Sequence, residues 1–191
     1  IVLLILTLIS QTAFAATFTV DSFGDEADEL LGDNICASAL GTCTLRAAIE
    51  EANFHEASDI VDFEDGIVGT LFVTANIPSI NKSLSIVGPG KNILSISGDK
   101  EHTPFSFFSE NESNIFSISG LTIMNSVRAI SFVNIDSDST LEINDCVITN
   151  NYTPSDSAAG LRVSGDSTLT ITNSEFSNNA ADKSGGAIGI Y

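Results

Sequence analysis

Apolar residues recur along most of the chain in short alternating runs, a pattern that predicts β-strands with one buried face. From about residue 59 onward, Gly, Asn, Asp or Pro separate these runs, as at Gly88-Pro89-Gly90. Residues 17–20 alternate in the same way and predict a first strand. The chain is therefore expected to be rich in short strands.

Residues 44–54 form the one stretch with a clear helical period. Either Thr42 or Thr44 can cap the start of this helix, because a hydroxyl oxygen accepts a bond from a free backbone N–H group. Arg46 lies one turn before Glu50, so we expect these two side chains to form an ion pair. The apolar face that we expect to pack on a core consists of Leu45, Ala48, Ile49 and Ala52.

The later part of the chain repeats itself. Residues 138–151 align without gaps on residues 166–179, and seven of the 14 aligned positions are identical. An earlier copy at residues 116–126 is offset by 25 residues, which places Phe116 over Leu141. Three short strands per period without a helix predict a parallel β-helix, in which stacked turns share one core. A β-sandwich is the alternative fold, but it does not explain the repeat.

The repeat also predicts which residues face the core and which form the turns. Alternation in the repeat at residues 138–151 directs one set of side chains inward, namely Leu141, Ile143, Cys146 and Ile148. Asparagine tolerates the left-handed backbone conformation of tight turns and stacks in side-chain ladders. We expect these roles for Asn150, Asn151, Asn178 and Asn179.

The start of the sequence has the features of an export signal. Residues 1–9 are apolar except Thr7, and Ala13-Phe14-Ala15 fits the small-x-small pattern of a cleavage site. The alternatives are a core strand or a membrane anchor, but the run is too short to span a bilayer. We expect a signal peptide at 1–15 without its basic start, a cap at 16–58, and β-helix turns at 59–191. The last residues fall inside a repeat, which indicates truncation at that end too.

Export places the chain where disulfides persist, and Cys36 and Cys43 lie close together in one loop. A disulfide between them would stabilise the fold by roughly 2–3 kcal/mol in the chain-entropy model. The alternative is two unpaired thiols. Cys146 aligns with Ser174 in the next repeat, so we expect it to be a small buried core residue.

Charge and composition exclude several classes of partner. The 191 residues include 25 acidic and seven basic side chains, a formal net charge of −18. Nucleic acid and anionic lipid are poor partners for such a chain, because both need clustered Lys and Arg. Two His and three Cys also make a His/Cys zinc site improbable. Residues 17–66 contain 13 of the acidic residues and a single basic one, Arg46.

The segment from Gly32 through Asn53 resembles the N-terminal C-S-L-R-E-A-I…A-N motif of exported bacterial β-helix proteins. Thr44 and Ala47 stand where that motif has Ser and Glu. Residues 59–63 and 86–90 are also typical of the group. The residues that carry the resemblance in the helix are Thr44, Leu45, Arg46, Ile49, Ala52 and Asn53.

A second resemblance concerns the last turn. Phe176-Ser-Asn-Asn179 and Gly185-Gly186-Ala187-Ile188 are similar to the F-x-x-N and G-G-A-I repeats of chlamydial polymorphic outer-membrane proteins. The two resemblances imply an all-β, right-handed parallel β-helix at the bacterial surface, outer membrane included, or released from it. They also imply that the N-terminal helix covers strand edges that would otherwise be exposed. They imply no agreed biochemical activity.

Enzymes with this fold act on acidic polysaccharides, but the sequence lacks their chemistry. A hydrolase would need paired Asp carboxylates and a nearby His, and we find no Asp-Asp dyad and no Gly-His-Gly. Asp62, Glu64 and Asp65 form the nearest acidic cluster, which we interpret as a solvated turn. Arg128 and Arg162 lack a dense acidic partner set, so we expect surface roles for them. We predict no catalytic residue.

Calcium is the one metal that the sequence suggests, because oxygen ligands of the carboxylate type suit it. Acidic residues are frequent in residues 21–33, and Asp136 and Asp138 lie at a second turn. Neither stretch has the ordered spacing of a calcium loop. We therefore predict no metal site and no cofactor, with calcium as the alternative.

The expected function is that of a non-enzymatic secreted or cell-surface protein, acting as a displayed passenger, a stalk or an adhesion surface. Its partner would be a glycan or a protein, bound at outward loops such as residues 151–159. The alternative is the N-terminal part of a polysaccharide lyase or hydrolase whose site lies in further turns. Simple glycan binding would call for an aromatic stripe, and none is evident. We expect neither a nucleic-acid partner nor a transmembrane helix in this chain.

Overall fold

The computed structural model of the chain describes residues 14–135, 138–154 and 156–191. Within these ranges there are one helix and 17 strands. In chain order they are β1 (Thr17–Val20), α1 (Leu45–Ala52), β2 (Asp59–Phe63), β3 (Gly69–Phe72), β4 (Leu84–Val87), β5 (Leu94–Ser97), β6 (Phe105–Glu110), β7 (Ile115–Ser119), β8 (Thr122–Met124), β9 (Ile130–Ile135), β10 (Ser139–Asn144), β11 (Val147–Thr149), β12 (Tyr152–Thr153), β13 (Leu161–Ser164), β14 (Ser167–Thr172), β15 (Glu175–Ser177), β16 (Ala180–Ala181) and β17 (Ile188–Ile190).

The strands form three parallel sheets that run along the molecule. The sheet orders are β1-β2-β4-β7-β10-β14, then β3-β5-β8-β11-β15, then β6-β9-β13-β17, with β12 and β16 as a short additional pair. Neighbours in each sheet come from successive turns of the chain, and the result is a solenoid of about five turns. This arrangement confirms the predicted parallel β-helix and excludes the β-sandwich, whose sheets are antiparallel.

Pairing between turns follows the register that the repeat predicted. Leu141 pairs with Phe116 of the preceding turn and with Leu169 of the following turn. Ile148 pairs with Ile123 and Phe176 in the same way. The offsets of 25 and 28 residues are therefore the lengths of successive turns. The repeat is visible in the sequence because equivalent inward positions must fill the same layer of the core.

Inward side chains from the three sheets meet in one continuous core. Phe107, Phe116 and Phe132 form its aromatic centre, with ring centroids 5.0 Å and 5.8 Å apart. All four predicted inward residues of the repeat are fully buried, which confirms the alternation argument: Leu141, Ile143, Cys146 and Ile148.

The asparagines form the predicted turns and ladder. Asn150 and Asn178 adopt the left-handed conformation, with φ of 56° and 55°. The buried Asn151 donates its side-chain amide to the side-chain oxygen of Asn179 at 2.8 Å. Asn179 in turn donates to the backbone carbonyl of Ile148 at 2.8 Å. The ladder thus satisfies backbone groups that the turn leaves without a strand partner.

The helix is two residues shorter at its C-terminal end than predicted and begins after Thr44, not Thr42. The Thr44 hydroxyl accepts a hydrogen bond from the Ala47 N–H group at 3.0 Å, as an N-cap residue does. Thr42 instead bonds the side chain of Ser38. The predicted apolar face of the helix is buried.

Replacing Phe116 with Ala tests whether the turns share one core. Phe116 contacts a ring from each of two other strands, so its loss leaves a cavity that spans turns. We expect the free energy of unfolding in urea, followed by far-UV circular dichroism, to fall by about 3–5 kcal/mol. The matched control is Phe72→Ala at a side chain that is 51% exposed, for which a change near zero is expected. Equal losses in both variants would contradict a shared core.

Candidate functional site

The N-terminal cap, residues 16–58, brings together most of the residues that the sequence singles out. Helix α1 packs against β1 and β2, the first two strands of the first sheet. Leu45, Ile49 and Ala52 of the cap motif are buried there with Phe18 and Val20 of β1. These motif residues are therefore packing residues.

Arg46 does not pair with Glu50, contrary to the prediction. It is buried and bonds both carboxylate oxygens of Asp25, at 3.2 Å and 2.8 Å. It also donates to the backbone carbonyls of Asp25, Ala75 and Asn76 at 2.8–3.1 Å. The guanidinium group lies between two loops, where these acceptors satisfy its N–H donors. A single carboxylate such as that of Glu50 could not satisfy as many donors. Arg46 thus joins the acidic loop, residues 21–34, to the segment that follows β3.

Two consecutive glutamates at the end of α1 fix the rest of the acidic loop, and no pattern in the sequence predicts this role. Glu51 is 1% exposed and accepts hydrogen bonds from the backbone N–H groups of Gly32 and Asn34. Both of those residues have left-handed backbone, with φ of 84° and 65°. Glu50 accepts from the N–H group of Asp28 at 2.9 Å. The helix therefore holds the loop through its carboxylates.

The predicted disulfide between Cys36 and Cys43 is present. It closes a short loop that is also held by a bond from the Ser38 N–H group to the Thr42 carbonyl at 2.8 Å. Cys43 is tied to the start of the acidic loop as well, because its N–H group donates to the Asp21 carboxylate at 2.9 Å. The loops of the cap are thus fixed relative to one another.

The carboxylates that raised the possibility of calcium bond backbone groups. Asp28 accepts from the N–H groups of Leu30 and Ala37, at 2.9 Å and 3.0 Å. Asp33 accepts from Ile35 at 2.8 Å. In residues 14–135, 138–154 and 156–191, no three His, Cys, Asp or Glu side chains are grouped so that they could hold a metal. Asp136, of the second predicted cluster, lies outside these residues.

A groove of about 360 Å³ opens on the surface of the cap. Leu30 and Ile35 lie in it and remain 65% and 60% exposed. Three acidic residues, Asp28, Glu29 and Asp33, line the same groove. We call this the cap groove, and its lining consists of Asp28, Glu29, Leu30, Asp33, Ile35 and Ala37.

Asn53, the last residue of the cap motif, connects the helix to the solenoid. Its side chain donates to the Ser79 carbonyl and accepts from the Asn81 N–H group, both at 3.0 Å. These bonds tie the C-terminal end of α1 to the segment before β4. Asn53 is therefore a structural residue.

His55 and Asp59 form a close pair beside β1. The His55 Nδ1 atom lies 3.0 Å from Asp59 Oδ1, and the Asp59 side chain is fully buried. The same Oδ1 atom accepts a hydrogen bond from the Ala16 N–H group at 2.7 Å. The sequence analysis gives no role to this pair, in which His55 follows the helix and Asp59 is the first residue of β2.

Arg128 and Arg162 share one acidic partner, Asp156, rather than a dense acidic set. Their guanidinium groups lie 2.7 Å and 3.2 Å from one oxygen of Asp156. The Ser157 N–H group and the Arg128 guanidinium hold the pKa of Asp156 below its ordinary value. Arg162 also lies over the ring of Tyr191, at 5.5 Å from its centroid. This cluster joins neighbouring turns.

Two smaller predictions about loops are also corrected. Asp62 belongs to strand β2, and only Glu64 and Asp65 follow the strand. The segment 151–159 is not an outward loop in the part that the structure describes. Asn151 carries the ladder and is buried, and several of its neighbours are buried too, among them Thr153, Ser157, Ala158 and Ala159.

The residues of the last-turn motif have structural roles. Phe176 pairs with Ile148 and Ile188 pairs with Leu161, so both continue columns of the core. At Gly186, a Cβ atom would lie 2.2 Å from the Asn179 carbonyl oxygen, so any side chain would collide with backbone. The full motif consists of Phe176, Asn179, Gly185, Gly186, Ala187 and Ile188.

Comparison with known proteins adds no relative: the chain matches no protein-family model, no curated protein and no solved structure. The fold assignment therefore depends on the strand topology alone. Helix α1 has eight residues, and among the described residues no helix is both long and apolar enough to cross a membrane.

Replacing Arg46 with Ala tests whether the buried ion pair holds the cap in place. The change leaves the Asp25 carboxylate without its cation, so we expect a loss of about 3–5 kcal/mol in the free energy of unfolding. The matched control is Lys82→Ala, which removes a cation that pairs with the exposed Glu56 at 3.2 Å. That variant should lose less than about 1 kcal/mol. A loss for Arg46→Ala as small as for Lys82→Ala would show that the pair is dispensable.

Thiol titration tests the assignment of the three cysteines. Burial raises the pKa of the Cys146 thiol, so little reactive thiolate forms near neutral pH. We expect the native chain to react slowly with Ellman's reagent. Urea without a reductant should then expose one thiol per chain, because Cys36 and Cys43 remain bonded. Three reactive thiols after unfolding would contradict the disulfide.

Proposed function

We propose that this chain is a non-enzymatic β-solenoid, secreted or displayed at the bacterial cell surface, whose N-terminal cap binds a partner protein. The observation that carries the proposal is the cap groove, which exposed apolar side chains and three acidic residues line together. Export is supported by the signal-like residues 1–15 and by the disulfide. The occupant that fits the groove is a basic segment with apolar side chains.

The first support is that the groove is rigid. The backbone on both sides of Leu30 is fixed by Glu50 and Glu51, and Asp28 bonds the N–H groups of Leu30 and Ala37. A surface held in this way loses little conformational entropy when it binds. Its exposed apolar residues are therefore presented in a fixed arrangement.

The second support is that the apolar surface extends beyond the groove. Leu31 is exposed beside Leu30, and Phe54 is exposed with its ring next to Gly32, where a Cβ atom would meet the ring at 3.5 Å. Contiguous apolar patches with a polar rim are typical of interaction sites. A protein partner can cover such a patch more completely than a polysaccharide can.

The third support is charge. Residues 14–45 contain no Lys or Arg. The next basic residue along the chain, Arg46, is buried against Asp25. Of the groove acids, Glu29 and Asp33 are exposed and have no cation in their own segment, so they attract a basic partner. A second copy of this chain would bring another net charge of −18, which opposes self-association at this surface.

The non-enzymatic part of the proposal rests on how the titratable groups are used. The carboxylates of Asp25, Glu50 and Glu51 bond Arg46 and backbone N–H groups within the cap. Asp156 bonds two arginines in the same way. Groups that are committed to such contacts serve as structural acceptors rather than as proton carriers.

The groove is tested by replacing both Leu30 and Ile35 with Ser. The probe is a fluorescent ten-residue peptide of alternating Leu and Lys, and the readout is its anisotropy. Each apolar side chain that becomes buried on binding contributes about 1.5–3 kcal/mol. The double variant should therefore bind at least about ten-fold more weakly than the unchanged chain.

The control variant is Val68→Ser, which removes an apolar side chain of similar exposure outside the groove. It should bind as the unchanged chain does. A peptide of alternating Ser and Lys measures attraction by charge alone. Equal binding of the two peptides would refute the groove as an apolar binding site. Equal affinity of the Leu30 and Ile35 double variant and the Val68→Ser control for the Leu-Lys peptide would also refute it. Binding of a neutral polysaccharide with no binding of the peptide would refute the protein partner.

A further inference from the structure

Of the residues that the structure describes, Ala16 is the first that bonds the solenoid, and it directly follows the predicted cleavage site. Its carbonyl accepts a bond from the Ile60 N–H group at 2.9 Å, and its N–H group donates to Asp59 Oδ1 at 2.7 Å. Phe14 and Ala15 are exposed. The peptide bond between Ala15 and Ala16 thus joins two exposed residues to one that is bonded to the fold.

Asp59 is a buried carboxylate with an incomplete set of partners. The residue is 1% exposed, and its Oδ1 atom faces the Ala16 nitrogen and the Nδ1 atom of His55. Its Oδ2 atom is buried and has no hydrogen-bond partner among the residues that the structure describes. No Lys or Arg of the described residues pairs with it, and His55 is charged only when protonated. A buried carboxylate without a permanent cation is costly.

We infer that a peptidase cuts the chain between Ala15 and Ala16, and that the new α-ammonium group of Ala16 forms a buried ion pair with Asp59. This inference rests on the proposed export, which brings the chain to such a peptidase. In the hydrolysis, water adds its oxygen to the Ala15 carbonyl carbon and the C–N bond breaks. Ala15 leaves as a carboxylate, and the Ala16 amine takes up a proton to become an ammonium group.

The geometry needs little adjustment for this pair. The Ala16 nitrogen already lies within hydrogen-bond distance of Oδ1 as an amide. As an ammonium it gains two further N–H donors and a full positive charge, so it can also serve Oδ2. A buried carboxylate that gains an opposite charge and further hydrogen bonds recovers part of the cost of leaving water. The cut thus supplies the cation that the carboxylate lacks.

The pair would couple maturation to the closure of the cap. Strand β1 begins directly after Ala16, pairs with β2 at the edge of the first sheet, and buries Phe18 and Val20 against α1. Strengthening the attachment of Ala16 therefore strengthens the attachment of β1. The uncut chain has a more weakly held first strand than the mature chain.

The first part of the test locates the cut. The 191-residue chain is produced in a Gram-negative host behind an added Met-Lys-Lys-Lys start, and the exported protein is analysed by intact mass and N-terminal sequencing. We expect the chain to begin at Ala16. A different first residue would overturn the inference and leave export intact, whereas a chain that stays uncut in the cytoplasm would overturn export as well.

The second part measures the ion pair in the exported chain that begins at Ala16. The comparison uses the chain with Asp59 and the Asp59→Asn chain. In each of them the α-amine is either left free or acetylated. With Asp59, acetylation should lower the folding equilibrium constant by at least about ten-fold, the usual effect of losing a charged hydrogen bond. In the Asp59→Asn chain, acetylation should have less than about a two-fold effect. Equal effects in both backgrounds would overturn the ion pair while leaving the cut in place.

The matched control is Asp62→Asn, on the same strand and three residues further on. Acetylation should still lower its folding constant by about ten-fold, since Asp59 is unchanged. A further readout covers the case in which Asp59→Asn does not fold. In the native chain with Asp59, the α-amine should react with an amine-specific reagent at least about ten-fold more slowly than after unfolding, because an ion-paired ammonium is a poor nucleophile. Equal rates before and after unfolding would overturn the ion pair.

Discussion

No turn of a parallel solenoid can bury its own inward side chains, and every other feature of this structure depends on that constraint. Each layer needs the layer above and below it, so Phe116 must meet Phe107 and Phe132, and Leu141 must lie between Phe116 and Leu169. The same requirement applies at β1, which has no neighbour on its outer edge among the described residues. Helix α1 of the cap packs against β1 and β2 there.

The loops of the cap are held largely by hydrogen bonds to carboxylates. Helix α1 supplies a small apolar face. Residues 21–43 form neither a helix nor one of the named strands, so their backbone N–H groups need other hydrogen-bond acceptors. Carboxylates of Asp21, Asp28 and Glu51 accept those bonds. The high acidic content of this region, which in the sequence looked like a solvated surface or a calcium loop, is largely a set of hydrogen-bond acceptors. That use explains why a loop of this length has one fixed arrangement.

The sequence predicted the solenoid well and the cap contacts poorly, for a physical reason. Inward positions such as Leu141 and Ile148 repeat from turn to turn, so alternation and offset identify them without knowledge of distant contacts. Arg46 illustrates the opposite case, because its partners at Asp25 and Ala75 are 21 and 29 residues away and leave no periodic signal. Pairing between side chains four residues apart on a helix predicted Glu50 as the partner. The position of a buried arginine is instead set by the acceptors that satisfy its N–H groups.

Asp59 contributes both to the repeating strand pairs of the solenoid and to the contacts of the cap. It is the first residue of β2, and its backbone N–H group bonds the Ser83 carbonyl, just before β4 of the next turn. Its side chain points the other way along the stack, toward Ala16 and the strand that the cap must hold. One residue therefore belongs to the repeating ladder through its backbone and to the cap through its charge. The ammonium group proposed for Ala16 would supply a cation at this position, where the ladder supplies only neutral donors.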